Sequence, residues 1–209
     1  MLEKEINPMR YSTPIRFLKY LQYHWVASNS KGHGIHSPFV FQIIKDILNA
    51  KNALTEIEKK SPAVKNILDT IEAACSSTLT PKIKIVIARL LQWLNPLTVS
   101  VTGEKHQFET ESDMQTNRTI EPIESIDFAF IGAGQDAATM LQSANSLIDK
   151  MHSNAWVILH QIHADADMEN AWNALKKHSN IRLSIDLFAI GILFCRKAQK
   201  EQEHFIIRY

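Results

Sequence analysis

Residues 126–162 read IDFAFIGAGQDAATMLQSANSLIDKMHSNAWVILHQI, and this stretch decides the fold. Its first six residues, Ile126–Ile131, are an apolar run stopped by Gly132. From Asp136 to Met151, residues Ala137, Met140, Leu141, Ala144, Leu147, Ile148 and Met151 recur at helical spacing and share one face. Ala155–Ile162 is a second apolar run. Both runs fit buried strands, and the helix between them makes parallel pairing through a right-handed crossover the expected connection.

On the C-terminal side, Asp165–His178 predicts a helix with Met168, Ala171, Trp172 and Leu175 inward. Ile181–Phe188, Ile190–Arg196 and His204–Tyr209 are three strand-like segments with no helix between them. On the N-terminal side, Leu97–Thr102 alternates and is rich in Val and Thr, so it predicts a strand. His106–Pro122 is polar and without period, and reads as a loop. Everything before it reads as helices. Pro14–Val26 carries an apolar stripe of Ile15, Leu18, Leu21, Trp25 and Val26. Ser30–Gly34 is a turn, and Ser37-Pro38, Ser61-Pro62 and Pro81 each start a further helix, with Ser at the cap and Pro at the first helical position in the first two. Asn95-Pro96 ends the last of them. The expected fold is therefore α/β: a Rossmann-like open sheet, mostly parallel with antiparallel C-terminal strands, preceded by an N-terminal helical region. Residues 1–80 form the helical extension in this reading, and residues 81–209 the sheet domain.

The totals restrict function. Lys plus Arg is 23 and Asp plus Glu is 22, giving a net charge of +1. That balance calls for neither nucleic acid nor an anionic membrane as partner. The N-terminus has no apolar segment of signal-peptide type, and Ile83–Leu94, the longest strongly apolar stretch, contains Lys84, Arg89 and Gln92 and is too short to span a bilayer. A cytoplasmic chain with Cys75 and Cys195 as buried free thiols is expected; a single disulfide is the alternative.

Three clusters are candidates for chemistry. Gly132-Ala133-Gly134-Gln135-Asp136-Ala137 fits G-x-G-x-x-A between a strand and a helix, which can present backbone N–H groups to a pyrophosphate. The acidic residue that holds a ribose is absent from the end of the next strand, so a tight strand-to-helix turn is the competing reading. His160, Gln161, His163, Asp165 and Asp167 follow a strand, where open α/β sheets bind ligands. They can supply a metal site or an acid–base pair; alternatively, an aspartate caps the next helix. His33 and His36 form an H-x-x-H pair in a turn with no acidic or sulfur ligand close in sequence.

Two stretches carry a family likeness: His33–Phe41 (HGIHSPFVF), and Ser184–Lys197 (SIDLFAIGILFCRK) with His204–Tyr209 (HFIIRY) after it. With Met168–Trp172, they resemble a bacterial family of class I S-adenosylmethionine (SAM)-dependent methyltransferases, similar to the small-molecule O-methyltransferases. The likeness covers residues 10–50 and 81–209. It implies a seven-stranded Rossmann-like sheet, a glycine-rich turn after the first strand for the methionine end of SAM, and an acidic residue ending the second strand for the ribose. Carried onto this chain, it makes Leu97–Thr102 the first strand and places Gly103, Glu104, Gly132 and Gln161 at the cofactor and His163 as the catalytic residue.

The chain departs from that pattern. One glycine, Gly103, stands where the family has an E-x-G-x-x-x-G loop. Only 24 positions separate Gly103 from Asp127, too few for two further strands and two helices. The family's Phe-Ile-Asp-Gly is Phe130-Ile131-Gly132-Ala133, and its Asp-Asp-Ile-His is His160-Gln161-Ile162-His163. The leading expectation is a methyltransferase-like protein that has lost SAM binding and catalysis and acts as a binding or interaction module, as a homodimer. The alternative is an active SAM-dependent methyltransferase on a small molecule, with Glu104 or Glu109 on the ribose and His163 as base. A dinucleotide-binding oxidoreductase using Gly132 and Gly134 is a third reading.

Overall fold

The computed structural model describes residues 10–29, 35–75, 79–103, 107–111, 126–132, 134, 136–196 and 199–209, with 29 and 107–111 through their backbone. The elements in chain order are α1 (Thr13–Val26), β1 (Ser28–Asn29), α2 (Pro38–Ile43) continued by a π-helical turn (Ile44–Leu48), α3 (Leu54–Lys60), α4 (Pro62–Ala74) and α5 (Pro81–Leu94). They continue with β2 (Thr98–Thr102), β3 (Gln107–Glu111), β4 (Ile126–Ile131), α6 (Ala137–Asp149), β5 (Met151–His160), α7 (Ala166–Lys176), β6 (Leu183–Asp186), β7 (Ile190–Phe194) and β8 (Glu203–Arg208).

The described strands form one eight-stranded sheet in the order β1-β8-β6-β7-β5-β4-β2-β3. Neighbours β2, β4 and β5 are parallel, as are β6, β8 and β1. Among the described strands, β3 and β7 run the other way. The sheet is thus mostly parallel, with an antiparallel hairpin, β6–β7, in its C-terminal part. β8 joins the far side of β6 in parallel, and β1 extends that edge.

Helices cover both faces. Alternate residues of β4 divide between two cores: Phe128 and Phe130 face α4 and α5, while Ala129 and Ile131 face α6 and α7. The first core is continuous from Val40 in α2 through α4 and α5 to Ile207 in β8. α4 buries Val64, Ile67, Leu68, Ile71 and Ala74, an i, i+3, i+4 pattern that gives a stripe wide enough to lie flat on the sheet. α5 buries every residue from Val86 to Leu91, including Arg89. That guanidinium donates to the carbonyls of Ile47 (3.0 Å) and Asn52 (2.9 Å), so its charge satisfies chain ends in the helical layer.

Three local expectations need correction. Residues 107–111, expected as loop, form β3, paired antiparallel with β2 from Thr98↔Glu111 to Thr102↔Gln107. Backbone pairing to an adjacent strand overrides the lack of sequence period there. α3 has no strong stripe in the sequence and only Ile57 is buried, so it escapes a periodicity reading. The apolar stripe of α1 does not face a core. Ile15, Leu18, Leu21, Trp25 and Val26 are all exposed, and the helix buries Tyr23 instead.

Candidate functional site at the carboxyl ends of the strands

β2, β4 and β5 end side by side at Thr102, Ile131 and His160, the edge where an open α/β sheet holds its ligand. Gly103 and Gly132 follow the first two. The C-terminal end of α4 fills the space beside them. A Cβ on Gly103 would lie 2.0 Å from the Ala74 carbonyl oxygen. One on Gly132 would lie 3.3 Å from Cys75 Sγ and 3.4 Å from both the Ala74 and Thr102 carbonyl oxygens. The Gly132 amide donates to the Thr102 carbonyl at 2.7 Å. Neither glycine has a positive φ. Gly103 is therefore required by close approach of the chain's own backbone. Glu104 lies outside the described residues.

The second candidate cluster does not converge. His160 points toward α4, with Nδ1 3.9 Å from Cys75 Sγ and its ring beside Phe130. Burial, and secondarily the charge of Arg10, push its pKa down to about 4, so the imidazole is neutral at pH 7. Asp165 caps α7, accepting from the Met168 amide at 2.7 Å. Asp167 is exposed in the first turn of that helix. Gln161 adopts φ 59°, and its amide donates to the Ala189 carbonyl at 2.7 Å, which ties the end of β5 to the β6–β7 turn. Among the described residues, no group of three or more His, Cys, Asp or Glu side chains is placed to hold a metal.

His163 is the centre of a network that sequence spacing does not show. Its Nδ1 lies 3.0 Å from Glu169 Oε1 on α7, and its Nε2 lies 2.8 Å from Asp186 Oδ2 on β6. Glu169 also accepts from Lys19 Nζ at 2.7 Å and from the Tyr11 hydroxyl at 3.3 Å. Burial alone lowers the His163 pKa, but hydrogen bonds and charges from Asp186 and Glu169 outweigh it and raise the pKa above the ordinary value. In the protonated form both ring nitrogens donate, one to each carboxylate. The Phe188 ring stacks on it, with centroids 5.2 Å apart, and Phe188 itself is held at φ 66° by its amide donating to Asp186 Oδ1. A cleft of about 200 Å³ opens here, lined by Lys19, Tyr23, His163, Glu169, Asp186 and Phe188 among others. Its charges are already paired with one another.

The network anchors the N-terminal segment. Besides Lys19, the Tyr11 amide donates to the Ala164 carbonyl at 2.9 Å, and the Tyr23 hydroxyl donates to the Ile207 carbonyl. α1 is thereby clamped across the end of α7 and the β8 edge. Lys19, Glu169 and Asp186 have no sequence signal linking them to His163, because they come from three separate elements.

The glycine turn at residues 132–137 is capped by an acid. Asp136 Oδ1 accepts from the Thr139 amide at 2.9 Å at the N-terminus of α6. A carboxylate there occupies the donors that a pyrophosphate needs and repels its charge. Gly134 has φ 113°, and Ala133 and Gln135 lie outside the described residues. His33 does too, while His36 is exposed. Cys75 and Cys195 are buried free thiols.

No family model, curated protein or solved structure matches the chain.

Proposed function

We propose that this chain is a methyltransferase-like protein without SAM-dependent catalysis, acting as an interaction module. The observation that carries this reading is the contact between the Ala74 carbonyl and Gly103. The methionine end of SAM, bound after β2 as the likeness implies, needs that volume, and a packed helix end holds it. The residue assigned as a base gives further support: both nitrogens of His163 face carboxylates, so no lone pair is free to take a substrate proton. Between β2 and β4, the described residues contain only β3. This hairpin strand stands where the family places two strands and two helices of cofactor-binding chain. Without those hydrogen bonds an adenosyl group forgoes several interactions of about 1 kcal/mol each.

An interaction module needs a surface, and α1 offers an exposed apolar ridge. A second copy of the chain seated on it would give the homodimer expected from the sequence.

Calorimetric titration of the full chain with SAM and with S-adenosylhomocysteine tests the reading. No saturable heat is expected with either. Micromolar binding of either ligand overturns it. A parallel titration with NAD is expected to be silent, in keeping with the acid cap on α6.

A further inference from the structure

A second cavity, of about 190 Å³, lies between α1, the start of α5, the β6–β7 turn and Tyr209. The turn is at the carboxyl edge of the sheet, because the Gln161 amide at the end of β5 donates to Ala189 within it. Four aromatic residues line the cavity: Tyr20, Tyr23, Phe188 and Tyr209. Tyr20 meets the Phe188 ring edge-on and Tyr23 meets it tilted, with centroids 5.2 Å apart in each pair. Ile83 and Val86 of α5 and Ile190 of β7, all buried, supply aliphatic wall. Rings and branched chains of this kind suit a flat apolar guest. A cavity of about 150 Å³ holds benzene, so this one has room for a single ring with one small substituent.

Polar groups decide the charge of that substituent. Lys82 lines the cavity from the start of α5, and its Nζ lies 4.5 Å from the centre of the Tyr209 ring, which holds the ammonium against the wall. Among the described residues, no Asp or Glu lines the cavity, and the first turn of α5 has none. Arg89, about two turns further along α5, is a second positive charge, met by the Ile47 and Asn52 carbonyls rather than by a carboxylate. Burial raises the pKa of the Tyr209 phenol, and the charge of Arg89 acts against that rise. Asp186, whose charge is felt at Tyr23, is bonded to His163 in the neighbouring cleft. A cationic guest would therefore meet like charge, and an anionic one finds a partner in Lys82.

We propose that this cavity binds a small aromatic carboxylate, its ring among Tyr20, Tyr23, Phe188 and Tyr209 and its carboxylate on Lys82. The site is separate from Gly103, so the inference goes beyond the loss of SAM binding and does not rest on it. The backbone is set for the ring pocket. A bulky residue at φ 66° is strained, and the Phe188 amide bond to Asp186 Oδ1 sustains it. That conformation makes the Phe188 ring a wall shared by this cavity and the His163 cleft.

The test is titration of the full chain with benzoate, benzyl alcohol, benzylammonium and acetate, followed in amide NMR spectra. Saturable binding of benzoate is expected, at least about tenfold tighter than of the other three, with shifts at Tyr20, Phe188, Ala189 and Tyr209. Lys82→Met changes an exposed residue and keeps its length. It should retain the wild-type melting curve and bind benzoate about tenfold more weakly, with benzyl alcohol unchanged. Absence of saturation by benzoate overturns the proposal, as does benzyl alcohol or benzylammonium bound as tightly as benzoate. Wild-type benzoate affinity in Lys82→Met overturns it too, and so do benzoate shifts confined to residues outside this cavity. If Lys82→Met melts early, the ranking of the four probes on the wild-type chain decides. The adenosyl titration reads the end of β2, so either proposal can fail alone.

Discussion

His160 and His163 lie three residues apart and respond to pH in opposite directions. His160 is neutral when folded because burial pushes its pKa down to about 4. In the unfolded chain it protonates near pH 6.5, so the unfolded state binds more protons between those values. Its contribution is therefore present above about pH 6.5 and is lost as pH falls toward 4, by about 3 kcal/mol in all. His163 has a raised pKa, so its contribution is complete below about pH 6.5 and is lost as pH rises through the folded value. His160→Gln is expected to flatten the acid side of the stability profile, which urea unfolding measured from about pH 7 down to about pH 4 will read. An acid limb unchanged from wild type would show that His160 is not the group responsible. The sequence put both histidines in one candidate cluster. The left-handed turn at Gln161 separates them, sending one toward α4 and the other toward α7 and β6. Backbone conformation of that kind has no spacing signature, and neither do the distant partners Lys19, Glu169 and Asp186.

At the scale of elements, the strands and long helices with strong apolar patterns were legible. IDFAFI became β4, AWVILH the buried end of β5, and α4, α5, α6 and α7 begin within a residue or two of their sequence signals. The failures have physical causes. β3 is a polar strand whose formation depends on β2 beside it, and α3 has too few apolar residues to mark a face. α1 shows the opposite limit. Its apolar stripe was readable, but periodicity cannot say whether a stripe meets a core or solvent. The seat of α4 against the sheet makes its own prediction. Gly103→Ala places a methyl group against the Ala74 carbonyl, a backbone atom that cannot swing aside, and is expected to cost about 2–3 kcal/mol in urea unfolding. Gly132→Ala meets its neighbours only at 3.3–3.4 Å and should cost about 1 kcal/mol or less. Equal, negligible effects would mean that the end of α4 does not sit on Gly103.

For the whole molecule, the sheet and its helical layers reproduce the expected α/β class, and the carboxyl end of β2 is packed by the chain's own backbone. One face of the sheet is buried under the N-terminal helices in a core that runs from Val40 to Ile207. Of those helices, α4 ends where β2 and β4 end, and its last turn packs on Gly103 and Gly132. The sequence shows a single glycine after β2 and a short path to β4. That a preceding helix takes up the volume was not readable, because it depends on how two distant segments pack. A crystal of the full chain soaked with sinefungin tests the point directly. The account predicts no nucleoside density at the end of β2, with the Ala74 carbonyl still seated against Gly103. Sinefungin lodged between α4 and Gly103, with the helix end displaced, would contradict it.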